Sequence, residues 1–221
     1  MKKANLPTRE QCFDVIKDYH MPLRVLKHSL AVNKLAVFLA ERLKEKSVGV
    51  DIELIDRASL LHDMVRVCDF NKLDCSKFEQ PVTEQDKAKW DRIRAKYKEI
   101  GHEDAAYEIL KEKYPQLALT IKKHRYMAML DEETKPTTWE EKLLYYADMR
   151  VMHDRIVPLK QRLKDGHKRN VHFHGTKAQS RINTAKVDPL IYRLEEEIFD
   201  KIGLNPLEIT DQFIDSYPEK T

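Results

Sequence analysis

Glycine is scarce in this chain, with 5 among 221 residues. No glycine-rich phosphate loop can be built from so few, and neither a GxGxxG nor a P-loop pattern occurs. Dinucleotide-binding and P-loop chemistry are thereby excluded. Cysteine is equally sparse: Cys12, Cys68 and Cys75 are an odd number without framework spacing, as expected of reduced thiols in a cytoplasm. The longest apolar run, Leu35 to Ala40, falls far short of the ~20 residues of a membrane span. Met1-Lys2-Lys3-Ala4-Asn5-Leu6-Pro7 lacks an apolar core, so no export signal is expected. The net charge of +3 and pI near 8.6 are too small an excess to imply a nucleic-acid partner. These absences predict a cytoplasmic chain without a membrane partner.

What is present reads as helix. Charged residues make up 35% and hydrophobic ones 42%, a helix-rich, globular balance. The length suits one domain, or one domain with an appendage. Thr8 to Tyr19 reads as a short helix with Thr8 and Gln11 as a capping box. A long helix from Pro22 to about Lys46 carries an apolar stripe through Val25, Ala31, Val32, Leu35, Ala36 and Leu39. Asp51 caps the next, whose inner face is Leu54, Ile55, Ala58 and Leu61. Val67 to Val82 loses periodicity and reads as a loop long enough to be a lid. Helices follow at Thr83–Lys98, His102–Leu110, a stripe Leu117, Ile121, His124, and Thr138–His153, the last capped by Thr138 and Glu141. Two further helices, about Pro189–Ile202 and Pro206–Tyr217, close the chain. No strand, repeat or low-complexity tract is evident.

Six ionisable residues lie on these apolar stripes or at their ends: His28, His62, Asp63, His102, His124 and Asp148. Each alone has an ordinary explanation, as a hydrogen-bonded core histidine, a cap or an ion-pair partner. Together they would require four buried imidazoles and two buried carboxylates, each privately satisfied. A buried ionisable group is costly unless paired or bound to metal. Imidazole and carboxylate are the ligand set of Fe, Mn, Ni, Co or Zn. One metal cluster would satisfy all six.

The ordered set, with Leu60-Leu61-His62-Asp63 and Tyr145-Tyr146-Ala147-Asp148 as its contexts, resembles the HD-domain superfamily of metal-dependent phosphohydrolases. The resemblance covers about Pro22 to Asp154. A second His-Asp pair, His153-Asp154, is set aside. On a continued helix it would sit about 140° round from Asp148, and it lacks the preceding Ala58-Ser59-Leu60-Leu61 context. The resemblance implies an all-α helical bundle over residues 1–155. Residues 156–221 would then be a basic connection plus C-terminal helices packing on the same domain. Because His102 and His124 are both present, the chain is similar to the subset holding two divalent transition metal ions. That subset includes bacterial hydrolases that cleave diadenosine tetraphosphate symmetrically. By that similarity His28, His62, Asp63 and Asp148 hold the first ion, Asp63 bridges, and His102 and His124 complete the second.

The activity so implied is hydrolysis of a phosphoester or phosphoanhydride, in a nucleotide or other small phosphorylated substrate, through a metal-bridging hydroxide. Two divalent ions, two aspartates and a hydroxide leave net positive charge, which suits a phosphate oxygen. Asp63 and Arg66 are the expected catalytic residues. Arg66 stands at the third position after the His-Asp pair, where the family often has lysine, and its planar fork suits phosphate. Arg125 and Arg150 are lesser phosphate candidates. The GYP signature of cyclic-di-GMP phosphodiesterases is absent.

Residues 157–187 carry eight Lys/Arg against one acid, Asp165, together with His167, His172 and His174. We read this stretch as a mobile, solvated connection rather than a phosphate surface, and His172/His174 as a chance pair. Self-association stays open. A minority of two-metal HD proteins use the same six ligands, with iron, as oxygenases, which is the alternative reading. A non-catalytic nucleotide-sensing module is a weaker rival, since such relatives commonly lose ligands.

Overall fold

A computed structural model describes residues 5–70, 73–169 and 176–218. Among the described residues ten α-helices run in the order α1 (Arg9–Asp18), α2 (Leu23–Glu45), α3 (Ile52–Leu61), α4 (Glu84–Tyr97), α5 (His102–Leu110), α6 (Pro115–Lys122), α7 (Trp139–Asp148), α8 (Leu159–Arg169), α9 (Lys177–Ile202) and α10 (Asp211–Ser216). The fold is all-α but for one antiparallel ribbon, β1 (Val151–Met152) against β2 (Arg155–Ile156). No described helix is long and apolar enough to cross a membrane.

The centre of the bundle is α2. Val32, Leu35, Ala36, Leu39 and Leu43 on its apolar stripe are fully buried, and α3 and α7 pack against it. Each such large aliphatic side chain contributes about 1.5–3 kcal/mol by leaving water. Local signals fix the helix starts. Thr8/Gln11, Thr83/Asp86 and Thr138/Glu141 form reciprocal capping boxes, and Asp51 accepts from Leu54 N. The expected loop 67–82 holds only 3-10 turns, Arg66–Asp69 and Cys75–Lys77, among its described residues. Its Phe78 is buried against Trp90 of α4.

Four expectations fail in the last third of the chain. The helix expected to run to His153 stops at Asp148. Val151 and Ile156 are buried as ribbon partners instead, and His153 takes a left-handed φ of 61° at the turn. The basic stretch is not a solvated connection over its described residues, since α8 and the start of α9 occupy most of it. His172 and His174 lie outside the described residues. Helix α9 runs through Pro189 rather than starting there. A proline inside a helix costs one backbone hydrogen bond. Burial of Val187, Ile191, Leu194, Ile198 and Ile202 offsets that loss. The final helix begins only at Asp211, capped by Thr210.

Arg150 is a further correction. It is fully buried, and its Nε and Nη2 donate to the carbonyls of Val157 at 2.6 Å, Pro206 at 3.0 Å and Ile209 at 3.2 Å. Nη1 bonds the Tyr146 hydroxyl and Glu195. Every arm of the guanidinium is committed inside the protein, so Arg150 is no phosphate ligand.

Candidate metal centre

The site lies where α2, α3, α5 and α7 converge with the turn after α6. Helix α3 runs from its Asp51 cap straight into His62, whose burial is complete. His28 projects from the stripe of α2, and Asp148 is the last residue of α7. Helix α5 opens on His102, after Gly101 at φ 82°. His124 follows α6 rather than lying on it, because that helix ends at Lys122. A buried ion pair holds it in register: Lys123 Nζ sits 3.0 Å from Glu141 Oε2 of α7.

Each imidazole is oriented through Nδ1. His28 Nδ1 donates to His153 O at 2.7 Å, His62 Nδ1 to Ser59 O at 2.8 Å, and His124 Nδ1 to Ile121 O at 2.5 Å. A carbonyl only accepts, so these three rings carry hydrogen on Nδ1 and present the Nε2 lone pair when neutral. His102 Nδ1 meets Asp69 Oδ2 at 2.5 Å. Such outer partners fix ring orientation at metal sites and raise ligand basicity.

The four Nε2 atoms point at one carboxylate, whose two oxygens divide them. Asp63 Oδ2 lies 3.7 Å from His62 Nε2 and 4.0 Å from His28 Nε2. Asp63 Oδ1 lies 3.0 Å from His102 Nε2 and 3.9 Å from His124 Nε2. Asp148 joins the first group, with Oδ1 at 2.9 Å from His28 Nε2 and 4.0 Å from His62 Nε2. The structure thus brings all six sequence-predicted residues into two clusters sharing Asp63.

Two features fit this donor set to cations. His62 Nε2 is buried without any hydrogen-bond partner among the described residues, a costly state for a polar atom. Lone-pair atoms also face one another at hydrogen-bond distance: His28 Nε2 toward Asp148 Oδ1, and His102 Nε2 toward His124 Nε2 at 3.0 Å. Only a proton or a metal ion between them makes such contacts attractive.

Electrostatics separate the two clusters. Burial drives His62 down to about 4, which keeps it neutral. Burial would raise Asp148, but its bond to His28 and the charges around it hold it well below the carboxylate range. Asp63 is likewise lowered, with the neighbouring histidines and Arg66 outweighing burial. His102 goes the other way. Burial and Arg66 lower it, yet Glu103, Asp63 and Asp69 together raise it to about 9. Asp69 is held to about 2, its bond to His102 winning over burial.

Arg66 lies in the second cluster. Its Nη1 is 2.8 Å from His102 Nε2 and 3.7 Å from Asp63 Oδ1. Arg125 stands at the rim, already engaged by Asp104 Oδ2 at 2.6 Å and Glu103 Oε2 at 3.4 Å. Sequence reasoning missed Asp69, Glu103 and the His153 carbonyl. Of these only Glu103 had a signal, its place beside His102; the others act from segments without periodicity. A cavity of about 750 Å³ opens from His102, His124 and Asp148 toward α8.

A family model described as the HD domain matches residues 25–151, more than half of the chain. Among curated proteins, a tRNA (cytidine(56)-2'-O)-methyltransferase of Picrophilus torridus is 25% identical over 179 residues. That match covers 76% of this chain but 43% of the relative, so the chain spans less than half of that protein's length. No solved structure matches.

Proposed function

We propose, from the premise that the chain belongs to the HD-domain family, that it is a metal-dependent phosphohydrolase of small phosphorylated substrates, with nucleotides foremost. The observation that carries this reading is the convergence of four Nε2 atoms on the two oxygens of Asp63, one of them, on His62, without a hydrogen-bond partner among the described residues. His28, His62, Asp148 and Asp63 would hold one divalent ion, and Asp63, His102 and His124 a second. Bound there, such ions activate water near neutral pH and neutralise charge on a phosphoryl group.

The chain's own residues supply the rest. The carbonyls of His153, Ser59 and Ile121 hold three rings with Nε2 inward, and Asp69 does so for His102. Arg66 leans on the second cluster at the cavity's inner end, where its guanidinium can orient a phosphoryl oxygen. The cavity volume suits a nucleotide-sized molecule, since ligand sites span about 300–1,000 Å³.

The test is phosphate release from a panel of nucleotides and phosphorylated metabolites, using protein reconstituted with Mn or Co under anaerobic conditions. Release of phosphate that depends on the added metal is expected. No release from any panel member, with dioxygen uptake by the iron-loaded protein instead, would overturn the hydrolase in favour of oxygenase chemistry.

A further inference from the structure

Helix α8 brings to the cavity a cation that none of the roles above uses. Arg162 Nε donates to Val151 O at 2.6 Å, which anchors the guanidinium at its base. The residue lines the cavity together with Asp148. Its two Nη groups have no carboxylate within ion-pair distance among the described residues, unlike the other cavity cations. Arg66 lies within 3.8 Å of Asp63 and Asp69, Arg125 is paired with Asp104, and Lys98 with Glu99 at 3.6 Å. Arg94 sits near Asp91 at 3.9 Å, and His167 bonds Asp188 at 2.8 Å. Burial pushes the Arg162 guanidinium down, and Asp148 is the charge that most opposes this. Asp148 is a candidate metal ligand, so the space between it and the Arg162 guanidinium would be flanked by positive charge on both sides once an ion is held, which suits an anion.

The sequence of α8 makes room for it. Gly166, one turn on, is buried, and a Cβ there would come to 2.9 Å from Arg162 Nη1. Glycine within a helix is unfavourable relative to alanine. At this position it leaves the space that the guanidinium occupies.

We propose that Arg162 is the substrate-binding residue that grips the phosphoryl group opposite the metal ligands, and that the occupant is a nucleoside monophosphate. With Nε committed to Val151, Nη1 and Nη2 are left to offer the paired donors that match two phosphoryl oxygens. Among the described residues Arg162 is the one cation of the cavity without a carboxylate within ion-pair distance, which suits one phosphoryl group rather than a polyphosphate chain. Beyond it, Phe70, Ile100, Met127 and Leu163 give the wall an apolar character suited to a nucleoside. The inference rests on the phosphohydrolase reading for the identity of the reaction, but binding at Arg162 is measurable without turnover.

The experiment is calorimetric titration of the full chain, reconstituted with Mn(II), with inorganic phosphate and with each of the four common nucleoside 5'-monophosphates as its non-hydrolysable phosphonate analogue, so that no turnover heat is read as binding. Metal content and Tm are measured on the same samples. R162Q is expected to weaken phosphate binding by about tenfold or more, the scale of a lost pair of charged hydrogen bonds, with metal content unchanged. G166A displaces the guanidinium without removing charge. It should weaken phosphate binding by a few-fold at equal or higher Tm, so that a folding defect cannot account for the loss. At least one nucleoside monophosphate should bind more tightly than phosphate, and R162Q should cost both ligands the same factor. Wild-type affinity in both variants at equal metal content overturns the assignment of Arg162. Monophosphates no tighter than phosphate overturn the nucleoside. Arg162-dependent binding without hydrolysis of any phosphoester would instead overturn the phosphohydrolase reading and leave the binding residue standing.

Discussion

The two halves of the candidate centre share Asp63 and are otherwise built differently. In the first, His28 and His62 are held by backbone carbonyls, and His62 is kept neutral chiefly by burial. In the second, His102 is held by the side chain of Asp69, flanked by Glu103 Oε2 at 3.2 Å, and contacted by Arg66. A carbonyl orients a ring without adding net charge. A carboxylate orients it and also holds a proton on it. If each half holds an ion as proposed, the first would take it directly and the second would exchange a proton for it.

The largest test of this contrast removes what the halves share. Asp63→Ala should lower the hydrolytic rate by on the order of 10³-fold or more and bring metal content below one ion per chain. Elemental analysis beside a phosphate-release assay reads both. A variant retaining two ions would break the bridging assignment.

Splitting the halves comes next. His102→Ala or His124→Ala should keep the first ion and lose the second, with turnover down by roughly 10²-fold. Rates equal to wild type would remove the second site from the proposal. Asp69→Asn keeps all six ligand candidates and removes the negative charge that faces His102 and Arg66. It should weaken the second ion by about 10- to 100-fold and leave the first untouched, as competition with a graded chelator would report.

The pH response should differ between halves with a definite sign. Below about 9, His102 without an ion carries a proton, so uptake of the second ion must release it. Its apparent affinity should fall by up to about tenfold for each pH unit below that point. The first half, with His62 at about 4, has no such release from that residue near neutrality. Calorimetric titration in buffers of different ionisation heat measures the released proton, and equal release for both ions would erase the distinction. The smallest effect belongs to His153→Ala. It leaves the carbonyl that orients His28 in place, so metal content and rate should stay within about twofold. A large loss would show that the side chain matters and not the backbone.

These comparisons also mark what could be read from residues alone. His28, His62 and Asp148 each interrupt an apolar helical stripe or end one, so periodicity exposed them, and the Thr/Gln, Thr/Asp and Thr/Glu caps marked where their helices begin. Asp69 could not be seen this way. It belongs to a 3-10 turn and reaches His102 across a stretch of chain without any repeat. His153-Asp154 was set aside as a ligand pair, and neither residue joins the two clusters. Its actual contribution, a carbonyl at a left-handed turn, has no side-chain signature. The run of apolar residues after Asp148 looked like more helix because β1 and β2 are too short for an alternating pattern to show. The basic character of α8 disguised its packing, since Leu159 and Leu163 are buried among lysines and arginines that face outward or line the cavity.

The buried guanidinium of Arg150 bears on how the molecule comes apart. It stands just beyond the last metal-ligand candidate, yet it is satisfied by carbonyls of residues 157, 206 and 209 and by Glu195 of α9. Peeling the C-terminal helices away would break the Arg150 bonds to Glu195, Pro206 and Ile209 together. The bundle and its extension should therefore open as one cooperative unit. Amide exchange in α7 and in α9 should be governed by the same opening, and a chain cut after residue 155 should lose the fold that holds Asp148, not merely a tail.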